Sequence, residues 1–501
     1  MCDGPEAFLA RDVIKFLLNG AEVAVRPADP AMTLLDWLRL ERRLTGAKEG
    51  CAEGDCGACT VLVGRLAGGA LRYEAVNACI RLLASVDGRA VVTVESLKGA
   101  DGALHPVQQA MVDLHASQCG FCTPGIVMSL AALWLAHDTC PPRARIEDAL
   151  AGNLCRCTGY GPIIDAVARA YEIGAPAQDS RRVGREGAAQ TLRGFAAGEP
   201  LALDVSGRRY CAPRNADALA AAVLADPDAT LLAGGTDVGL WITKELRRPQ
   251  AMISLGDVEG FDAVRDEGDA LVFGAGASWT DCRRALGALH PQIGEMIRRF
   301  GSEPVRNMGT IGGNVANGSP IGDGPPVLIA LGAGIVLRRG AERRELPLEA
   351  YFLGYKKQDR RAGEFVESIK VPKPPPGALF HVSKVTKRFD EDITAVLGAF
   401  HLSLDAQGVV TQARLAFGGM AATPKRAATA EAALVGKRFT QESAEAAVTA
   451  LAADFTPLDD WRASARYRAQ VAANLIRRFA LEAAAGETMR VGGPLPESAD
   501  A

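Results

Sequence analysis

Residues 51–59 read Cys-Ala-Glu-Gly-Asp-Cys-Gly-Ala-Cys, CAEGDCGAC, and put three thiols into one short loop. A fourth cysteine, Cys79, follows in the run Asn-Ala-Cys-Ile at 77–80. C-x4-C-x2-C with one distant cysteine is the spacing by which four thiolates hold a [2Fe–2S] cluster. Gly50, Gly54 and Gly57 suit that reading, because residues without a Cβ let the chain fold closely around a small inorganic core and aim N–H groups at its sulfurs. Structural zinc is the alternative, but it generally uses short two-cysteine knuckles on both sides of the site.

Two further thiol pairs lie downstream. Residues 119–126 read CGFCTPGI and residues 152–163 read GNLCRCTGYGPI, so each pair is followed by Thr and, beyond it, by Pro and Ile. Cys155 and Cys157 stand one residue apart, too close for an ordinary disulfide with each other, and the two stretches read as halves of one site. Thr123 before Pro124 predicts a helix start, with a capping hydroxyl and proline at the first helical position, and Pro162 predicts a second. Cys119, Cys122, Cys155 and Cys157 then lie near helix N-termini, whose partial positive charge favours the thiolate that iron needs. Residues 106–116 and 145–151 predict two more helices, making a four-helix bundle around the site. Cys2, Cys140, Cys211 and Cys282 lack such company and read as structural or incidental.

Composition agrees with this use of cysteine. A chain of 501 residues, 48% hydrophobic and 23% charged, is an ordinary globular protein of several domains. Its net charge of -3 gives no electrostatic reason to bind nucleic acid or an anionic membrane. The opening MCDGPEAFLARD is acidic where a signal peptide is basic, and the apolar run 126–136 is far short of a bilayer span. A cytoplasmic protein is expected, in a reducing compartment where clustered thiols serve metals or redox chemistry.

The first ~95 residues read mostly as strands (VIKFLLNG, EVAVRP, TVLVGRL, AVVTVES) with one helix from Leu34 to Arg43 capped by Thr33, a small α+β ferredoxin-like domain. From Gly174 to about Arg209 periodicity fades, which predicts an extended connection. Two glycine-rich loops follow. TLLAGGTDVG at 230–239 runs from an apolar strand into a turn whose N–H groups suit a pyrophosphate, and GTIGGNVANGSPIGDGPP at 309–326 is denser still in Gly, Asn and Ser. A dinucleotide fingerprint is absent, since GAGASW at 274–279 supplies only its first two glycines, so any flavin is held in a non-Rossmann way.

Taken together, CAEGDCGACTV, QCGFCTPG, GNLCRCTGY, LAGGTDVGLW and TIGGNVANGSPIGDGPP resemble the iron–sulfur and flavin chain of the bacterial xanthine dehydrogenases, within the molybdenum hydroxylase family. The resemblance implies a multidomain α+β fold: a plant-type ferredoxin-like β-grasp domain over 1–96, a helical [2Fe–2S] domain over 97–175, a linker over 176–210, an FAD-binding domain over 211–377 and a C-terminal flavoprotein domain over 378–501. It implies cluster ligands Cys51, Cys56, Cys59 and Cys79, and Cys119, Cys122, Cys155 and Cys157. FAD would be contacted by Leu231, Leu232, Ala233, Gly234, Gly235, Thr236, Asp237 and Val238, by Thr310, Ile311, Gly312, Gly313 and Asn314, and by Asp323 and Val366. Phe300 would lie against the flavin ring, with Lys384 as a cation beside it.

The resemblance further implies a larger partner subunit that carries a molybdenum–pterin centre, two copies of each chain, and Gln118, directly before Cys119, as a residue that reaches the pterin, so that the bundle faces that partner. Electrons from xanthine or hypoxanthine oxidation, in purine breakdown, would pass singly through the two clusters to FAD, which can hand a hydride to NAD+. The charged stretch KVTKRFDEDI at 384–393 would border the flavin. An aldehyde, carbon monoxide or nicotinate dehydrogenase of the same superfamily, and a zinc-stabilised scaffold without activity, are the competing readings.

Overall fold

The computed structural model describes residues 10–27, 29–99 and 101–489, and Cys2 lies outside them. These residues form two compact units, 10–259 with 301–309 and 260–300 with 310–489.

The first unit opens with a mixed five-stranded sheet. Its strands, in spatial order, are Ala21–Val25, Ile14–Leu18, Ala90–Val92, Thr60–Ala67 and Ala70–Asn77. Ile14–Leu18 and Ala90–Val92 pair in parallel, and the other pairs are antiparallel. A short helix, Leu34–Asp36, runs into a π-turn over Trp37–Glu41 and packs across one face, with the Trp37 ring edge-on to Phe16 at 5.4 Å. Thr33 caps it as its sequence position predicts, accepting the Asp36 N–H at 3.0 Å.

The strand Ala70–Asn77 is absent from the sequence-based expectation because Arg72 and Glu74 interrupt its apolar pattern. Its signal is the turn before it: Gly68 and Gly69 take φ of +56° and +82° and join the two arms of a two-residue hairpin. The register of that hairpin matters for chemistry. Thr60 pairs with Asn77, so Cys59, one residue before the first arm, and Cys79, two residues after the second, emerge at the same end.

Beside this sheet lies the bundle. Its central helix, Thr123–Ala136, is buried at every residue from Gly125 to Leu135, and Pro106–Asp113, Arg143–Leu150 and Gly161–Ile173 pack with it. The first of these is shorter than expected because His115 turns to φ +50° and ends the helical path.

One expectation is overturned. Residues 176–210 are not an extended connection: they carry helices Ser180–Val183 and Arg185–Ala196, then strands Leu201–Val205 and Arg208–Ala212. Ala189 and Leu192 stand on one helical face and are buried against Leu17, Leu71 and Ala90 of the first sheet, and that packing overrides a composition rich in Gly, Arg and Gln. The two strands belong to a second sheet with Ala251–Ser254 and Thr230–Leu232.

The second unit holds an antiparallel five-stranded sheet, ordered Val264–Asp266, Ala270–Gly274, Phe365–Pro372, Gly334–Arg339, Glu342–Pro347. It also holds a four-stranded antiparallel sheet of Leu379–Val385, Val396–Leu404, Val410–Gly418 and Lys425–Arg426. Helices Ala428–Leu434, Gln441–Leu451 and Ala465–Ala485 cover the latter over a core that includes Phe400, Phe417, Leu475 and Phe479.

Within this unit His381 is fully buried and pairs with Glu482 at 2.7 Å, tying a strand to the last helix. Burial holds His290, His381 and His401 below the ordinary imidazole range, so the folded unit keeps them neutral. Burial alone would raise Glu482, but hydrogen bonds from His381 and Arg478 hold it at about 2. Groups depressed by folding give stability that is present above their unfolded values, about 6.5 for His and about 4.3 for Glu, and lost as pH falls. The thermal midpoint should therefore drop between pH 7 and pH 5, and His381→Gln should flatten that drop in melts followed by circular dichroism.

Candidate functional site

The structure gathers Cys51, Cys56, Cys59 and Cys79. Sulfur contacts link Cys51 to Cys56, Cys51 to Cys79 and Cys59 to Cys79. The Asp55 and Cys56 N–H groups both donate to Cys51 Sγ at 3.4 Å. Hydrogen bonds from the Cys56 and Cys79 thiols hold Cys51 below the usual thiol range, and those two are pushed up in return. Among the described residues no three His, Cys, Asp or Glu side chains close in tightly enough to share one metal ion. The three contacts run as one chain, Cys56 to Cys51 to Cys79 to Cys59, so the four thiols form a single group, as the four thiolate ligands of one [2Fe–2S] cluster would.

The second group lies at the N-terminal ends of two bundle helices. Cys119 and Cys122 precede Thr123–Ala136, while Cys155 and Cys157 precede Gly161–Ile173. Cys122 and Cys155 are in contact, with Cys119 close by, and burial pushes Cys122 up to about 12. Burial would also raise Cys155, but the Thr158 hydroxyl, 3.2 Å away, and the N–H groups of Thr158 and Cys157 hold its thiol low. Cys119 and Cys157 are exposed, as is Gln118, and so are the neighbouring apolar side chains Phe121 and Leu154.

The two cysteine groups interlock through glycine. Gly57, at φ +68°, is so close to the second group's loop that a Cβ there would stand 2.1 Å from the Gly152 carbonyl oxygen. A Cβ on Gly125 would stand 2.1 Å from the Gly57 carbonyl oxygen. The Leu154 N–H donates to the Cys56 carbonyl at 2.9 Å. Asn153, 1% exposed, donates to the Gly57 carbonyl at 3.1 Å and accepts from Ser129 Oγ at 2.6 Å.

The first glycine-rich turn, also in this unit, abuts the Cys79 side of the first group. Gly235 takes φ +78°, and a Cβ on Gly239 would meet the Ile80 carbonyl oxygen at 2.7 Å. Thr243 Oγ1, on the helix Val238–Thr243 that follows, donates to the Ala52 carbonyl at 2.6 Å. Of the residues expected to contact FAD here, Leu232 is buried in the strand Thr230–Leu232, Asp237 is exposed, and Leu231, Ala233, Gly234, Gly235, Thr236 and Val238 are half-buried.

In the second unit, the second glycine-rich stretch is not an open loop. Thr310 caps a helix over Ile311–Asn317, accepting the Gly313 N–H at 3.0 Å, and a second helix spans Gly324–Ala330. Asn314 Oδ1 and Trp279 Nε1 are both buried without a hydrogen-bond partner, and a Cβ on Gly324 would lie 2.4 Å from that oxygen and 2.6 Å from a ring carbon of Trp279. An orphaned acceptor and donor beside a residue with no side chain fit a polar flat ligand such as a flavin. Phe300 is half-buried with its ring edge-on to Trp279 at 5.1 Å, and Val366 is buried in the strand Phe365–Pro372.

Lys384, expected as a cation beside the ring, is committed to a neighbour. Its Nζ donates to Asp323 Oδ2 at 2.6 Å, both side chains are 4% exposed, and Thr394 Oγ1 donates to the other carboxylate oxygen. Arg299, unmarked in sequence reasoning, braces the charged stretch that begins here by donating to the carbonyls of Lys384 and Phe389 and to Thr386 Oγ1. Asn153 was legible only as a letter inside the GNLCRCTGY motif.

Four families match in order along the chain. "2Fe-2S iron-sulfur cluster binding domain" matches residues 16–82, and "[2Fe-2S] binding domain" matches 93–168. "FAD binding domain in molybdopterin dehydrogenase" matches 204–374, and "CO dehydrogenase flavoprotein C-terminal domain" matches 381–483. The chain belongs to the molybdenum hydroxylase family, as its iron–sulfur and flavin part. It is similar to the xanthine dehydrogenase of Emericella nidulans, 34% identical over 89% of this chain and 36% of that protein. Xanthine dehydrogenase 1 of Arabidopsis thaliana is 29% identical over 88% of this chain and 37% of that protein. The chain thus spans little more than a third of the length of these curated relatives. A solved carbon monoxide dehydrogenase chain from Hydrogenophaga pseudoflava is 31% identical, with a TM-score of 0.52 over 56% of this chain and 98% of that one.

Because Lys384 and Asp323 are buried together, removing one partner leaves an uncompensated charge, worth about 3–5 kcal/mol of destabilisation. Lys384→Ala should lower the thermal midpoint more than the double variant Lys384→Met with Asp323→Asn. Equal midpoints, measured by calorimetry, would show that the pair is not energetically coupled.

Proposed function

We propose that this chain is the electron-transfer subunit of a cytoplasmic xanthine dehydrogenase. In this reading a separate, larger subunit holds the molybdenum–pterin centre, two copies of each chain assemble, and NAD+ is the acceptor. The observation that carries it is the joining, in one chain, of two interlocked cysteine groups and a flavin-family region, together with relatives named xanthine dehydrogenase. Iron–sulfur clusters relay single electrons and FAD converts them to a hydride; the residues of this chain bind, space and insulate those groups.

The eight thiolates proposed as ligands divide the chain into a ferredoxin-like domain over 1–96 and a helical one over 97–175, followed by flavin-linked domains over 211–377 and 378–501. Leu231–Val238, Thr310–Asn314, Asp323 and Val366 are proposed to hold FAD, with Phe300 against its ring. Lys384 is proposed to act through Asp323, by holding that carboxylate in place. The exposed face with Gln118, Cys119, Phe121, Leu154 and Cys157 is proposed to receive electrons from the partner.

A second reading is favoured by the solved relatives, three of which are named as carbon monoxide dehydrogenases. It differs in the partner's substrate. The chain purified with its partner should form NADH when xanthine is added and none when carbon monoxide is added; the reverse preference would support the second reading. Cys157→Ala should lose the electron paramagnetic resonance signal of one cluster and stop NADH formation while flavin stays bound. A variant with both signals intact and normal turnover would refute the ligand assignment.

A further inference from the structure

We propose that Asn153 is the positioning residue that locks the two thiolate loops in one register and thereby sets the electronic coupling between the two iron–sulfur sites. The inference rests on the two-cluster reading above and assigns a role to a side chain that is not a ligand.

Asn153 lies two residues before Cys155, and its side chain reaches the helix that follows Cys122 and the loop that carries Cys56 and Cys59. Oδ1 accepts from Ser129 Oγ at 2.6 Å, on the helix that starts beside Cys122. Nδ2 donates to the Gly57 carbonyl at 3.1 Å, between Cys56 and Cys59, and to Thr60 Oγ1 at 3.4 Å, next to Cys59. A carbonyl can only accept, so Nδ2 must face Gly57 and Oδ1 must face Ser129. An aspartate would set its carboxylate against the Gly57 carbonyl, and an apolar residue would leave buried groups unpaired. An amide is the side chain this place calls for.

The backbone next to Asn153 makes a short connection between the two groups. The Asn153 carbonyl accepts from Tyr160 Oη at 2.8 Å, and that oxygen accepts the Cys155 N–H at 2.7 Å. The following N–H, of Leu154, donates to the Cys56 carbonyl. One hydrogen bond and one residue therefore separate Cys56 of the first site from Cys155 of the second. Gly57 and Gly125 remove the side chains that would hold these segments apart. Asn153 pins both ends of that connection. A merely satisfied buried amide would affect stability alone.

The test uses the full chain with its partner, as wild type, Asn153→Ala and Ser129→Ala. Iron and labile sulfide are counted, and low-temperature electron paramagnetic resonance of the fully reduced protein reads the magnetic interaction between the two sites. Asn153→Ala, which leaves all eight thiols in place, should keep its iron but lose or shift the interaction splitting. Ser129→Ala, which frees only one end of the amide, should shift it less in the same direction. Full iron with wild-type splitting in Asn153→Ala overturns the proposal. If that variant loses iron, Ser129→Ala decides: a shifted splitting supports the proposal and an unchanged one overturns it. A wild-type protein without two cluster signals would sink the functional reading itself, so the two failures are distinguishable.

Discussion

Where the two cysteine loops meet, at Gly57, there is no room for a side chain on Gly57 or on Gly125. Gly57 holds a left-handed φ of +68°, its carbonyl abuts Gly125, and its Cα faces the Gly152 carbonyl. A residue with a Cβ would be strained by the φ alone and would also strike backbone, which cannot yield as a flexible side chain can. The hairpin register, the depth of the central bundle helix and the path of the loop before Cys155 all have to satisfy this one contact. It also explains why the ferredoxin-like sheet and the bundle share a single compact unit.

A similar economy operates on the other side of the first cysteine group. Gly235 and Gly239 bring the turn after Thr230–Leu232 against Ile80, the residue after Cys79, and Thr243 ties the next helix to the loop that holds Cys51. The first group is thus flanked by the second on one side and by a glycine-rich turn of the flavin-family region on the other. Close backbone approach without intervening side chains is the common device. It suits a protein whose task depends on short separations between bound groups.

Much of this was readable from sequence, and for identifiable reasons. Thiol spacing is a covalent pattern, so CAEGDCGAC and the CGFC and CRC pairs announced both sites before any fold was known. Prolines in the first turn placed the bundle helices and Thr33 marked a cap, but Thr123 stands inside its helix, with Cys122 at the cap position and no capping hydroxyl. The failures have physical causes too. Helix Arg185–Ala196 is stabilised by what it buries, Ala189 and Leu192 on the first sheet, and composition does not encode that partner. The hairpin arm Ala70–Asn77 announced itself through two glycines and not through hydrophobic alternation. The commitment of Lys384 to Asp323, 61 positions away in sequence, and the links from Asn153 to Ser129 and Thr60, are long-range hydrogen bonds that no local pattern carries.

The central claim is that eight cysteines of this chain hold two iron–sulfur clusters next to a flavin. The most direct measurement is chemical analysis of the purified full-length chain for iron, acid-labile sulfide, zinc and flavin. Two [2Fe–2S] sites require about four irons and about four sulfides for each flavin. Zinc without labile sulfide, or a chain that binds no flavin, would contradict the claim.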